Sequence, residues 1–222
     1  MEDGNQMINI IYEDNHLLVV EKPINIVVQE DVTRDKDLLT GLKDYLKEKY
    51  NKPGNVYLGL IHRLDRPVGG IMVFAKTSKA ASRLSEQVRT HRLEKVYHAV
   101  ICGKTKSNDI LNDKLLKDSK NNIVKVDSRG KDATLFYERI AYKENLSLVK
   151  IRLKTGRSHQ IRVQFSSRNM PLWGDQKYND KSVVGEQIAL FASSLSFEHP
   201  VSKEKLTFSL DLPKRYPWNK FF

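Results

Sequence analysis

Apolar residues come in short runs along this chain, and the spacing inside each run sets the element it predicts. Residues 8–23, INIIYEDNHLLVVEKP, carry two apolar runs around the turn signal Glu13-Asp14-Asn15 and close at Pro23, the pattern of two strands. Residues 37–50, DLLTGLKDYLKEKY, place Leu38, Leu42, Tyr45, Leu46 and Lys49 at helical spacing, and Asn51-Lys52-Pro53-Gly54 stops the segment. GIMVFAK (70–76) reads as a buried strand. SKAASRLSEQVRTH (78–91) reads as a helix with the stripe Ala81, Leu84, Val88, capped by Thr77 or Ser78.

EKVYHAVICGK (94–104) is strand-like. Residues 104–132 are polar with short apolar pieces, NDILNDKLL and NIVKV, and predict a surface excursion with a loose hairpin. TLFYERIAYKENLSLVKIRLK (134–154) predicts a firmer hairpin turning at Lys143-Glu144-Asn145. TGRSHQIRVQFSSRN (155–169) reads as a loop feeding a helix, and IALFASSLSFEH and KLTFSLDLP read as two last strands. Many strands with three or four helices predict an α+β domain around a mostly antiparallel or mixed sheet. With no repeat, low-complexity linker or composition break, a single domain over 8–217 with a short N-terminal tail, 1–7, is expected.

Composition narrows the class. The chain has 222 residues, 40% hydrophobic and 29% charged, the balance of a soluble globular protein with room for a real core. No apolar run approaches the ~20 residues that span a bilayer. The start, MEDGNQMINI, lacks the cationic and apolar regions of a signal peptide, and the single Cys102 cannot form an internal disulfide. A cytoplasmic protein is expected. Lys and Arg number 38 against 27 Asp and Glu, a net charge of +11. Such an excess favours polyanionic partners, nucleic acid first, because each phosphate neutralised releases counterions.

Two stretches concentrate candidate chemistry. GLIHRLDRPVGGIMVFAK (59–76) sets Asp65 between Arg63 and Arg66 in a loop between apolar runs. Asp65 is either a turn residue serving local N–H groups or a reactive carboxylate kept ionised by cationic neighbours. In Thr155-Gly156-Arg157-Ser158-His159-Gln160-Ile161-Arg162, cationic groups and a glycine gather at a helix start, a place suited to phosphate or carboxylate, or simply a capped and solvated end. Tyr97 alternates with Ala99 and Ile101, the position of a core-facing strand aromatic whose hydroxyl wants a partner. The six histidines form no His-x-x-x-His pair, and one cysteine cannot build a zinc site. Walker, Gly-x-Gly-x-x-Gly and Gly-x-Ser-x-Gly loops are absent.

Five pieces in order, YEDNHLLVVEKP, HRLDRPVGGIMVFAK, EKVYHAVICG, LKTGRSHQIRVQF with PLWGDQKY, and LFASSLSFEHP, resemble the RluA-type pseudouridine synthases over nearly the whole chain. The resemblance implies the pseudouridine synthase fold, a mixed, mostly antiparallel central sheet with a cleft, flanked by helices. It also implies isomerisation of uridine in structured RNA, a ribosomal or transfer RNA stem-loop, with no cofactor and no metal. Carried over by position, Asp65 is the essential carboxylate, Tyr97 the active-site tyrosine and Arg162 the basic residue that pairs with the aspartate. Arg63 falls where relatives hold RNA as the base leaves the stack. His62, Arg66, Arg157 and His159 are expected at the RNA, and the Arg83–Arg92 region along phosphates. Many relatives have Thr-Ser-Gly where this chain has Val68-Gly69-Gly70, so two hydroxyls that would support the loop are lost. Attack on the sugar, a glycal intermediate and addition to the base all stay open as routes. The alternative reading is a non-catalytic RNA-binding or ribosome-assembly protein on the same fold. No membrane contact is expected, and a monomer is.

Overall fold

The structure, a computed structural model, describes residues 8–30 and 37–222; the tail expected over 1–7 lies outside them. In chain order the elements are β1 (Asn9–Glu13), β2 (Leu17–Lys22), α1 (Leu38–Lys49), β3 (Gly59–Leu60), β4 (Gly69–Ala75), α2 (Ser78–Arg89), β5 (Glu94–Cys102), β6 (Asn108–Asp118), β7 (Ile123–Val126), β8 (Lys131–Lys143), β9 (Leu146–Leu153), α3 (Gln160–Ser166), β10 (Leu190–Glu198) and β11 (Lys205–Ser209). A short 3₁₀ turn, Trp218–Phe221, follows. Antiparallel pairing dominates this α+β fold. Two compact units contain the described residues: one of residues up to 93 with 194–210, the other of 94–193 with 211–222.

In the first unit β2 lies between β1 and β4, with β3 on the end of β4 and β11 on β10. Leu17 to Val20 and all of β4 are buried, because both faces of these strands are covered. One face packs Leu17, Val19, Ile71 and Val73 with Ala80 and Leu84 of α2 and with Leu195 and Phe197 of β10. Helix α1 buries Leu38, Leu42 and Leu46, while Tyr45 and Lys49 turn to the carboxylate of Glu13. In α2 the stripe includes a residue that hydropathy alone passes over. Gln87 is buried because its amide donates to the Glu198 carbonyl (2.7 Å) and accepts from the Glu198 N–H (2.8 Å), completing hydrogen bonds at the end of β10.

Thr77, one of the two caps anticipated, is the one used: its hydroxyl accepts from the Ala80 N–H. Thr77→Ala is expected to cost about 1 kcal/mol. A thermal melt should read a fall in Tm of roughly 2–4 °C for a chain of this size.

In the second unit the order is β5-β9-β8-β6-β7, with the first residues of β10 beside β5. The hairpin expected at 143–145 is present. Glu144 and Asn145 both have positive φ, 48° and 58°, as a two-residue hairpin turn of the primed kind requires. The excursion at 104–132 is more regular than its polar composition suggests. β6 runs eleven residues and pairs with both β7 and β8, because Leu111, Leu115, Val124 and Ala133 sit at matching positions of one buried face, closed by Val163 of α3. No helix among the described residues is long and apolar enough to cross a membrane.

Candidate active site

Between Leu60 and Gly69 the chain alternates inside and outside. His62, Leu64 and Val68 are buried, Arg63 and Arg66 are exposed, and Asp65 lies between the two classes. The buried side chains anchor the segment, so its charged residues are presented from a fixed base. A turn starts at Asp65, closed by the Val68 N–H donating to the Asp65 carbonyl at 2.9 Å. Gly70, the second residue of β4, has φ 126°, a backbone conformation that side chains disfavour.

A buried lysine supports the Asp65 turn. Lys22, the last residue of β2, has no exposed surface. Its Nζ donates to the carbonyls of Pro23 (2.8 Å), Arg66 (3.0 Å) and Val68 (2.8 Å), tying the end of β2 to the Asp65 turn. Burial pulls the Lys22 ammonium down from 10.5 to about 7, against the attraction of Asp65 and with Arg66 adding to the fall. The sequence signal for this residue was a lysine closing an apolar run immediately before a proline, which polarity alone reads as a strand end.

His62 was expected at the RNA. Its ring is buried and Nε2 accepts the Val73 N–H at 3.2 Å, so it braces the segment against β4. Arg83, expected along phosphates, donates to the Pro200 carbonyl at 2.6 Å, and Arg89 is matched by Glu86 on the same helix.

In the second unit Tyr97 sits on β5 opposite Ile151, with Tyr137 next in the row, and is buried as its alternation predicts. Arg162 lies in the first turn of α3 and is buried too. Its Nε and Nη2 donate to the two carboxylate oxygens of Asp175 at 2.9 and 2.6 Å, a bidentate pair. The Asp175 carboxylate also accepts the N–H groups of Lys177 and Tyr178. The Tyr178 ring lies 5.1 Å from the guanidinium, and its hydroxyl meets His159 Nδ1 at 2.6 Å and accepts the Val124 N–H.

His159 was expected at the RNA as well; its ring is buried, and it takes up a left-handed conformation (φ 51°) at the start of α3. Its residue type fits, since histidine is among the side chains that enter this region more readily. Arg157 is exposed at that helix start, with Nε on the Asp132 carbonyl. Asp175 and Tyr178 lie in PLWGDQKY, a stretch that sequence reading matched to relatives without seeing what its acid and tyrosine hold. Among the described residues no cluster of three or more His, Cys, Asp or Glu is arranged to hold a metal ion.

A family model described as RNA pseudouridylate synthase matches residues 16–167, and the chain belongs to that family. It is an RNA pseudouridine synthase, an isomerase that converts uridine to pseudouridine. The chain is 33% identical over 221 residues to the ribosomal large subunit pseudouridine synthase D of Zymomonas mobilis, covering 93% of this chain and 70% of that protein. It is 32% identical over 205 residues to the ribosomal large subunit pseudouridine synthase C of Vibrio parahaemolyticus, covering 88% and 62%. The fold is similar to that of human RNA Pseudouridylate Synthase Domain Containing 4, with a TM-score of 0.78 at 23% identity, covering 93% of this chain and 89% of that one.

Proposed function

We propose that residues 8–217 act as one catalytic domain on uridines of large-subunit ribosomal RNA, with Asp65 as the reacting carboxylate. The observation that carries the reading is the anchored Asp65 turn: a carboxylate flanked by two exposed arginines, on a segment anchored by the buried His62, Leu64 and Val68. The names of the relatives support the choice of RNA.

The reaction breaks the bond from ribose C1′ to N1 and forms one from C1′ to C5. The hydrogen on C5 leaves as a proton, and N1 gains one, so the balance needs no oxidant or metal. Positive charge develops at the sugar as the first bond breaks, and the Asp65 carboxylate stabilises it or bonds to it. A uridine inside a helix is out of reach, so the base leaves its stack at a cost of roughly a few kcal/mol. Arg63 and Arg66 hold the displaced strand, and Arg157 contacts backbone phosphate. His62 and His159 support the loops that carry these arginines. Arg162, held by Asp175, acts as a catalytic cation, and Tyr97 lies against the base and assists the proton leaving C5.

Tritium placed on C5 of the uridines in ribosomal RNA should pass into water on incubation with the protein. Free uracil as the product would instead mean a base-releasing glycosylase. Tyr97→Phe is expected to lower release by about 10²–10⁴-fold. Full turnover by that variant would remove the proton role.

A further inference from the structure

Strand alternation puts Tyr97, Ile151 and Tyr137 on one face of the second unit's sheet and the residues next to them in sequence on the other. On that other face, directly opposed residues form two rows. Ile110, Phe136 and Arg152 make one, and Asn108, Glu138 and Lys150 make the next. These residues line an open concavity of about 520 Å³. Its floor is apolar and uncovered, with Ile110 50% exposed and Phe136 42%. Phe136 stands on β8, a strand paired along both edges, so its exposure does not come from a frayed end. Exposed apolar surface rimmed by polar groups marks a place of contact.

The cations of this face follow one strand. Lys150 and Arg152 lie two residues apart on β9, and Lys154, its N–H on the Thr134 carbonyl, continues the alternation at steps of about 7 Å. Against these three stands Glu138, directly opposite Lys150, while Asp109 is matched by Lys106 at 2.8 Å. The excess is positive and suits a polyanion. The core of a protein interface is depleted in charge and in lysine, and this face is not. Single-stranded RNA meets both features, since bases stack on aromatic side chains carried by a sheet while cations alongside take the phosphates.

We propose that this face is a second RNA site, holding a single-stranded segment with one base stacked on Phe136 beside Ile110 and the phosphates along Lys150, Arg152 and Lys154. The stacked base is not the reacting uridine, because Tyr97 lies on the opposite face of the same sheet. The site requires that the chain act on RNA and is independent of which carboxylate reacts.

The test uses a fluorophore-labelled octa-adenylate, which contains no uridine and cannot enter the reaction. Its anisotropy should rise with the wild type and with Asp65→Asn alike. Phe136→Ala should weaken binding by about 5- to 100-fold, the loss of one base stack. Arg152→Ser should lower the slope of log K against log salt by about 0.7, the share of one phosphate contact on a single strand. Arg152 and Phe136 are both exposed, so thermal melts of these variants should match the wild type. Phe136→Trp should keep the affinity, and its added fluorescence should be quenched as adenylate binds.

Equal binding by wild type and Phe136→Ala, no binding by the wild type, or an unquenched Phe136→Trp would overturn the proposal. Self-association in sedimentation that Phe136→Ala abolishes, with no adenylate bound, would also overturn it and make the face an interface between copies. Should Phe136→Ala fail to fold, Phe136→Trp and Arg152→Ser decide. Failure of the catalytic reading is separate, because it shows as tritium release by Asp65→Asn, which adenylate binding does not measure.

Discussion

Asp65→Asn is expected to give a folded protein whose turnover is lower by about 10³-fold or more, roughly 4 kcal/mol or more in barrier. Asparagine has the same shape and lacks the negative charge that a developing positive sugar requires. The fold should tolerate the change because the turn is closed through the backbone: the Val68 N–H donates to the Asp65 carbonyl, and Lys22 holds the Arg66 and Val68 carbonyls. None of these bonds uses the side chain of Asp65. Single-turnover tritium release beside a thermal melt checks both halves. Loss of activity with an unchanged melt fits the reading, whereas a fall in Tm that matches the loss would make Asp65 a structural turn residue.

The second large effect belongs to the pair Arg162–Asp175. Both side chains are almost wholly buried, with side-chain exposures of 6% and 0%. Removing one partner leaves the other charge without its partner in a medium that solvates it poorly, and such truncations cost about 3–5 kcal/mol. Asp175→Ala should be the harsher single change, because the same carboxylate also accepts the N–H groups of Lys177 and Tyr178. Denaturant melts of Asp175→Ala, Arg162→Ala and the double variant should show the double change costing clearly less than the sum of the singles. Additive losses would mean that the pair is not a unit. Arg162→Ala should also abolish turnover under conditions where it remains folded, whereas a purely structural arginine would leave that activity intact.

Local pattern carried most of the fold. The continuous apolar runs of β2 and β4 and the stripes of α1 and α2 are legible because burial on both faces, or on one, repeats along each element. The hairpin at Glu144-Asn145 is legible for a different reason, since turn chemistry marks it. Strand β6 was underread because its outward positions are charged or polar, and only the register with β7 and β8 shows that Leu111 and Leu115 share a buried face.

The site divides in the same way. Asp65, Tyr97 and Arg162 stand inside ordered motifs and could be named from them. The groups that hold them could not. Lys22 is forty-odd residues from the carbonyls it binds on Arg66 and Val68, and Asp175 and Tyr178 act on Arg162 across a loop. A long polar side chain in a sequence reads as solvent-facing, and only the folded chain reveals which ones are buried and satisfied. His62 and His159 show the same limit: both are buried, and the Val73 N–H that His62 accepts and the Tyr178 hydroxyl that His159 meets are partners no motif names.

The most direct test of the central claim is a map of pseudouridine across total RNA from cells lacking this protein, complemented with the wild type or with Asp65→Asn. A site in large-subunit ribosomal RNA that disappears in the deletion, returns with the wild type and stays absent with Asp65→Asn is the predicted result. A map unchanged by the deletion, or a site restored equally by both forms, would contradict it.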